Sequence, residues 1–110
     1  MKKFILLYNG PATPVEQMEP EKVQKTMEAW VAWMEKVGDH MLDMGQPMAN
    51  GEAVVDNGTT AAATQLSGYS IIQAKDMSAA KDLVVNHPFL SDKSGKFSVE
   101  IHELLPVPGM

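Results

Sequence analysis

The last third of the chain carries the pattern that most restricts its fold. Gly68 to Ala74 is an apolar-rich run, Ser78 to Asn86 has helical composition, His87-Pro88-Phe89-Leu90 interrupts it, and Phe97 to Leu104 alternates again. The order is strand, helix, proline stop, strand, a β-α-β unit whose helix must cross one face of a sheet. Ser78 is the expected N-cap of a helix over Ala79 to Val85, with Asp76 nearby. Pro88 ends that helix, because the residue before a proline avoids the helical region. In the final strand Phe97, Val99 and Ile101 share one face, and Ser98, Glu100 and His102 the other.

Upstream, Lys3-Phe4-Ile5-Leu6-Leu7-Tyr8 runs into the turn cluster Asn9-Gly10-Pro11. A short continuous apolar run of this kind predicts a central strand buried on both faces. Glu19-Pro20-Glu21 signals a helix start, with proline in the first turn and acids beside it. Val23, Met27, Trp30, Met34, Val37 and Met41 then recur at spacings of four and three, one stripe of an amphipathic helix. Its end is open between Gly38 and Gly45, either of which suits a C-terminal cap. Asn50-Gly51 and Asn57-Gly58 are turn signals that bracket a short strand, Glu52 to Asp56. The Ala- and Thr-rich tract Thr59 to Thr64 is expected to be a mobile loop, Asp92 to Lys96 a second loop, and residues 105–110 an irregular tail.

The order β-α-β-β-α-β predicts an α+β, ferredoxin-like domain spanning residues 1–110. Both helices then lie on one face of the sheet. The other face carries apolar residues of Phe4 to Tyr8 and has no cover within the chain, so a second copy packing sheet against sheet is expected. The formal charge of −5 and scattered basic residues argue against nucleic acid. No cysteine is present, which removes disulfides and thiolate chemistry. No apolar run approaches a membrane span, and the reading is of a cytoplasmic protein without a cofactor. Asp39, His40 and Asp43 are metal-ligand types, but their spacing matches no known site, so no metal is expected.

Several residues invite a chemical role, each with a plainer one beside it. His87 reads as a general acid or base, or as a residue capping the end of the second helix. Glu100 and His102 alternate onto one face of the last strand, as an oriented carboxylate–imidazole pair or as a polar seam between copies. Trp30 and Met34 lie on the helix stripe, and Trp30 reads foremost as core. Trp33 falls nearly a quarter turn off the stripe and reads as a pocket rim that stacks a planar ligand, or as surface. His40 falls on the side of Trp33 one heptad later if the helix runs that far. No phosphate loop and no nucleophile elbow is present.

Taken in order, Met1 to Tyr8, Trp30-x-x-Trp33 with Gly38-Asp39, Gly45-Gln46-Pro47-Met48, Gly68 to Ala74, His87-Pro88 and Val99-Glu100-Ile101 resemble the YCII-related (DGPF-domain) proteins. The resemblance implies a dimeric α/β barrel in which two ferredoxin-like sheets pair. Some such proteins have a His and an Asp proposed as an acid–base pair, the Asp directly before the Pro-Phe that follows the second helix. In this chain that position is His87, Trp30 stands near the place of the first-helix His, and the signature loop reads Asn57-Gly58-Thr59-Thr60. Three functions are therefore expected to compete. One is a small-molecule-binding homodimer with a methionine- and tryptophan-lined pocket formed by Trp30, Trp33, Met34 and His40. Another is a cofactor-free enzyme using His87 or His102, with Glu100. The last is a regulatory module that binds another protein, as relatives fused to or alongside sigma factors suggest.

Overall fold

The computed structural model describes residues 1–11, 19–91 and 93–109. Asp92, in the expected second loop, and Met110, in the expected tail, lie outside the described residues. Four strands form the main sheet: β1 (Lys2–Asn9), β2 (Met41–Asp43), β5 (Leu66–Ala74) and β6 (Ser98–Leu104), in the order β2-β5-β1-β6. All neighbouring pairs are antiparallel. The apolar run of β1 thus lies inside the sheet, as its composition predicts. Two helices, α1 (Pro20–Val37) and α2 (Met77–Val84), cross the sheet. The fold is α+β and ferredoxin-like.

Strand alternation decides which side becomes the core. Phe4, Leu6 and Tyr8 of β1 and Ser70, Ile72 and Ala74 of β5 point to one side and are buried. There they meet Trp33 and Val37 of α1 and Ala80 and Val84 of α2. Both helices therefore cover the same face. Ile5, Leu7, Tyr69 and Ile71 point to the other face and are only half-buried. The register sets these in rows: Ile71, Ile5 and His102 in one, Tyr69, Leu7 and Glu100 in the next. The expectation that β1 is buried on both faces thus holds for one face of the single chain, because among the described residues no element crosses the second.

α1 begins at Pro20 with Glu21 in its first turn and Lys36 in its last, where each charge complements the helix dipole. It ends at Gly38, whose N–H donates to the Met34 carbonyl. Of the two candidate caps, Gly38 is the one used, and a short 3-10 turn over Gly38–His40 leads straight into β2. α2 starts two residues earlier than Ser78 implies: the cap is Asp76, whose carboxylate accepts the Ala79 N–H at 2.8 Å. Nor does Pro88 end α2, which has already stopped at Val84.

The second strand of the sheet is a correction to the sequence reading. Glu52–Val54 (β3) is extended, but it pairs with Thr60–Ala62 (β4) in a separate two-stranded ribbon. The tract read as a loop, Thr59 to Thr64, supplies that partner strand. The place beside β5 is taken by Met41–Asp43, a segment read as helix end. Alternation in a three-residue strand is too short to show, and the Asn-Gly turns around the ribbon advertise a strand without saying which sheet it joins.

Candidate functional site

The buried polar groups of the core gather at the C-terminal end of β1. Tyr8 and Ser70 lie on the covered face of adjacent strands, and Tyr8 stands opposite Gly68. The bare Cα of Gly68 leaves room there: a Cβ would come within 3.4 Å of the Tyr8 ring and 3.1 Å of the Gln46 carbonyl. Asn86, in the left-handed region at φ 63°, turns the chain after α2, and His87 enters the core, 1% exposed. Asn tolerates that backbone better than most residues. His87 does not cap α2; it opens the 3-10 turn Pro88–Leu90, its Nδ1 accepting the Phe89 N–H at 3.0 Å.

These groups form one hydrogen-bonded chain. His87 Nε2 lies 3.1 Å from Tyr8 Oη, Tyr8 Oη 2.6 Å from Ser70 Oγ, and Ser70 Oγ donates to the Met44 carbonyl at 2.8 Å. Among the described residues no buried side-chain polar atom lacks a partner. Burial, and secondarily the positive charge of Lys36, push the His87 imidazole down to about 4, so it is neutral near pH 7. Burial pushes the Tyr8 hydroxyl up to about 12 against the lowering effect of its bond to Ser70, so it keeps its proton.

Aromatic rings enclose this chain. The His87 ring lies 4.2 Å from Trp33, 4.8 Å from Trp30 and 5.0 Å from Tyr8, centroid to centroid. Trp30 meets Tyr8 edge-on at 5.5 Å, and Phe89 lies 5.3 Å from Tyr8. On the outer side of this cluster is a cavity of about 330 Å3. Tyr8, Trp30 and Phe89 form its aromatic wall; Met44 to Pro47 and Ser67 to Tyr69 form the opposite one. No charged side chain is among the residues that line it.

The segment Met44 to Met48 is clamped to β5 at three points. Ser70 holds the Met44 carbonyl, Pro47 bridges to Gly68, and the Met48 N–H donates to the Ser67 carbonyl at 3.0 Å. Gly45 passes so close to β5 that a Cβ would fall 1.6 Å from the Tyr69 carbonyl oxygen, and its φ of +79° suits glycine. A larger, more polar cleft of about 700 Å3 lies behind this wall, between the base of the β3–β4 ribbon and Gly10.

The two tryptophans exchange the roles their spacing predicts. Trp33 is core, 3% exposed, its indole N–H donating to the Leu83 carbonyl at 2.8 Å. Trp30 is half-buried and lines the cavity. The stripe misled because α1 meets the sheet along Trp33 and Val37, leaving Met27 63% exposed. Met34 is half-buried, packs on the core and does not line the cavity. His40 lies beyond the helix end, away from Trp33's role, its Nδ1–H donating to the Gln73 carbonyl at 2.9 Å. Glu100 and His102 do pair, at 2.9 Å, on the uncovered face and exposed to solvent. Sequence reasoning missed Tyr8, Ser70 and Phe89. Tyr8 closes a strand run and Ser70 falls on that strand's partner, so only the register could have joined them.

Among the described residues no three His, Asp or Glu side chains converge as metal ligands do, and no helix is long and apolar enough to cross a membrane. Comparison with curated proteins returned no match. Among solved structures, the chain is similar to 5-chloro-2-hydroxyhydroquinone dehydrochlorinase (TftG) from Burkholderia phenoliruptrix AC1100, in complex with 2,5-dihydroxybenzoquinone. The identity is 17%, over 91% of this chain and 90% of that one, with a TM-score of 0.49. The model of the YCII-related domain matches residues 1–104, nearly the whole chain and all of the sheet and its helices, and the chain belongs to that family.

Proposed function

We infer that the protein is a small-molecule-binding homodimer whose ligand lies in the cavity between Trp30, Phe89 and the Met44–Pro47 wall. The observation that carries this reading is the cavity itself: concave, largely apolar, aromatic on one side and open to solvent, as ligand sites are. Its lining offers no charge, so the ligand is an uncharged molecule with a flat apolar ring that stacks on Trp30. The dimer seam is the uncovered sheet face, where Ile5, Leu7, Tyr69 and Ile71 are half-exposed beside the Glu100–His102 pair. An enzyme with His87 as its base has less support. Nδ1 accepts a backbone N–H, Nε2 contacts Tyr8, and the ring does not line the cavity. A regulatory protein-binding module would leave no reason for an open cavity with this lining.

The test is a pair of tryptophan variants assayed with neutral bicyclic aromatics by chemical-shift titration. Trp30→Ala is expected to abolish binding while costing about 1 kcal/mol of stability, since Trp30 is half-buried. Trp33→Ala is expected to cost about 3–5 kcal/mol by opening the core. Unchanged binding by Trp30→Ala overturns the placement of the ligand.

A further inference from the structure

The hydrogen-bonded chain beneath the cavity has a direction, and both of its ends are backbone groups whose polarity is fixed. At one end the Phe89 N–H can only donate, so His87 Nδ1 is bare. The neutral imidazole then carries its proton on Nε2 and donates it to Tyr8 Oη. At the other end the Met44 carbonyl can only accept, which spends the Ser70 hydroxyl proton. Ser70 Oγ is left as the acceptor for the proton of Tyr8, at 2.6 Å. Tyr8 is the member of this chain whose side chain belongs to both the buried network and the aromatic wall of the cavity. Its hydroxyl has one proton committed to Ser70 and one lone pair committed to His87. A single lone pair remains, and that lone pair can only accept.

From this the geometry points to Tyr8 as a specificity residue: the cavity prefers neutral aromatic ligands that bring an O–H or N–H donor to Tyr8 Oη over isosteres that bring only an acceptor. An ether or carbonyl oxygen at that place sets lone pair against lone pair. Turning the Tyr8 proton toward such a ligand breaks its bond to Ser70, and reversing the whole chain moves the imidazole proton to Nδ1, where it faces the Phe89 N–H, and takes the Ser70 proton from the Met44 carbonyl. The inference rests on the reading of this cavity as a ligand site and goes further by stating which polarity the ligand presents.

Indole and benzofuran are suitable probes, because they share one bicyclic frame and exchange an N–H donor for an ether oxygen. Their dissociation constants, measured by chemical-shift titration at pH 7, are expected to differ about tenfold in favour of indole, the worth of one net hydrogen bond. Tyr8→Phe, which removes the acceptor, is expected to bring the ratio to about one. Ser70→Ala frees the Tyr8 proton to point at the ligand and is expected to shrink or invert the preference; it carries the test if Tyr8→Phe does not fold. Equal binding of the two probes to the wild-type protein, or a preference that survives in both variants, overturns the role of Tyr8 alone. Binding of neither probe overturns the ligand site and this inference with it.

Discussion

At the scale of single residues, the core of this protein is organised by a histidine that is kept neutral. His87 is 1% exposed, both ring nitrogens are in hydrogen bonds, and three aromatic rings lie against it. Acid therefore works against the fold. The unfolded chain takes up a proton as pH falls through the ordinary value of 6.5, while the folded chain resists until about 4. The stability that His87 contributes is complete above the first value and lost as pH falls toward the second, by about 3 kcal/mol over that window. Urea unfolding at pH 7 and at pH 4.5 is expected to show that loss. In His87→Asn, which keeps an acceptor for the Phe89 N–H, the difference between the two pH values is expected to shrink to that of the remaining groups. An equal loss in the variant would exclude His87 as its source.

At the scale of elements, the segment joining β2 to the ribbon matters more than its lack of regular structure suggests. Met44 to Met48 walls the cavity only because it lies flat against β5, and Gly45 is what permits the approach. Gly45→Ala combines a left-handed φ with a Cβ placed on the Tyr69 carbonyl, so the wall must lift. A loss above about 2 kcal/mol is expected, together with loss of ligand binding. Gly58→Ala is the control: its φ is +89° but no atom lies within 4 Å, so about 1 kcal/mol of backbone strain is expected and binding stays intact. Thermal unfolding of both variants, read beside the titration, separates steric blockage from backbone strain. The β3–β4 ribbon has only three residue pairs, and Val54 is 79% exposed. Such ribbons are marginal on their own, which makes this one a poor candidate for part of a rigid site.

At the scale of the whole molecule, one face of the sheet is covered by the helices and, among the described residues, the other is left half-exposed. The covered face has its core and its network, and the open face has two rows of half-exposed apolar residues with a carboxylate–imidazole pair at one edge. Leu7→Lys is well suited to testing the sheet-to-sheet dimer, because Leu7 is half-exposed in the single chain and lysine there leaves the core untouched. Sedimentation is expected to give a dimer mass for the wild-type protein and a monomer mass for Leu7→Lys with unchanged circular dichroism. An unpaired charge in a dry seam costs several kcal/mol, enough to dissociate it. A wild-type monomer would remove the dimer from the proposed function without touching the cavity, which one chain forms by itself.

The sequence alone determined the features that depend on neighbours along the chain. Apolar runs, alternation and helical spacing marked β1, α1, β5, α2 and β6, and proline, glycine and asparagine marked the end of β1 and both ends of α1, because those signals act through local backbone geometry. What escaped it depends on contacts between distant segments. Whether Glu52–Val54 or Met41–Asp43 lies beside β5 is decided by how the chain leaves α1 at Gly38, not by strand propensity. Which tryptophan is core is decided by the angle at which α1 lies on the sheet, and a stripe drawn on an isolated helix carries no such angle. Position 87 could be marked as notable from its place before Pro88, but its chemistry could not be read there. Tyr8 and Ser70 are 62 residues apart, and Tyr8 and His87 are 79 apart. Only the antiparallel register of β1 with β5, and the turn at Asn86 that sends His87 inward, bring these groups within hydrogen-bonding distance and set the direction of their protons.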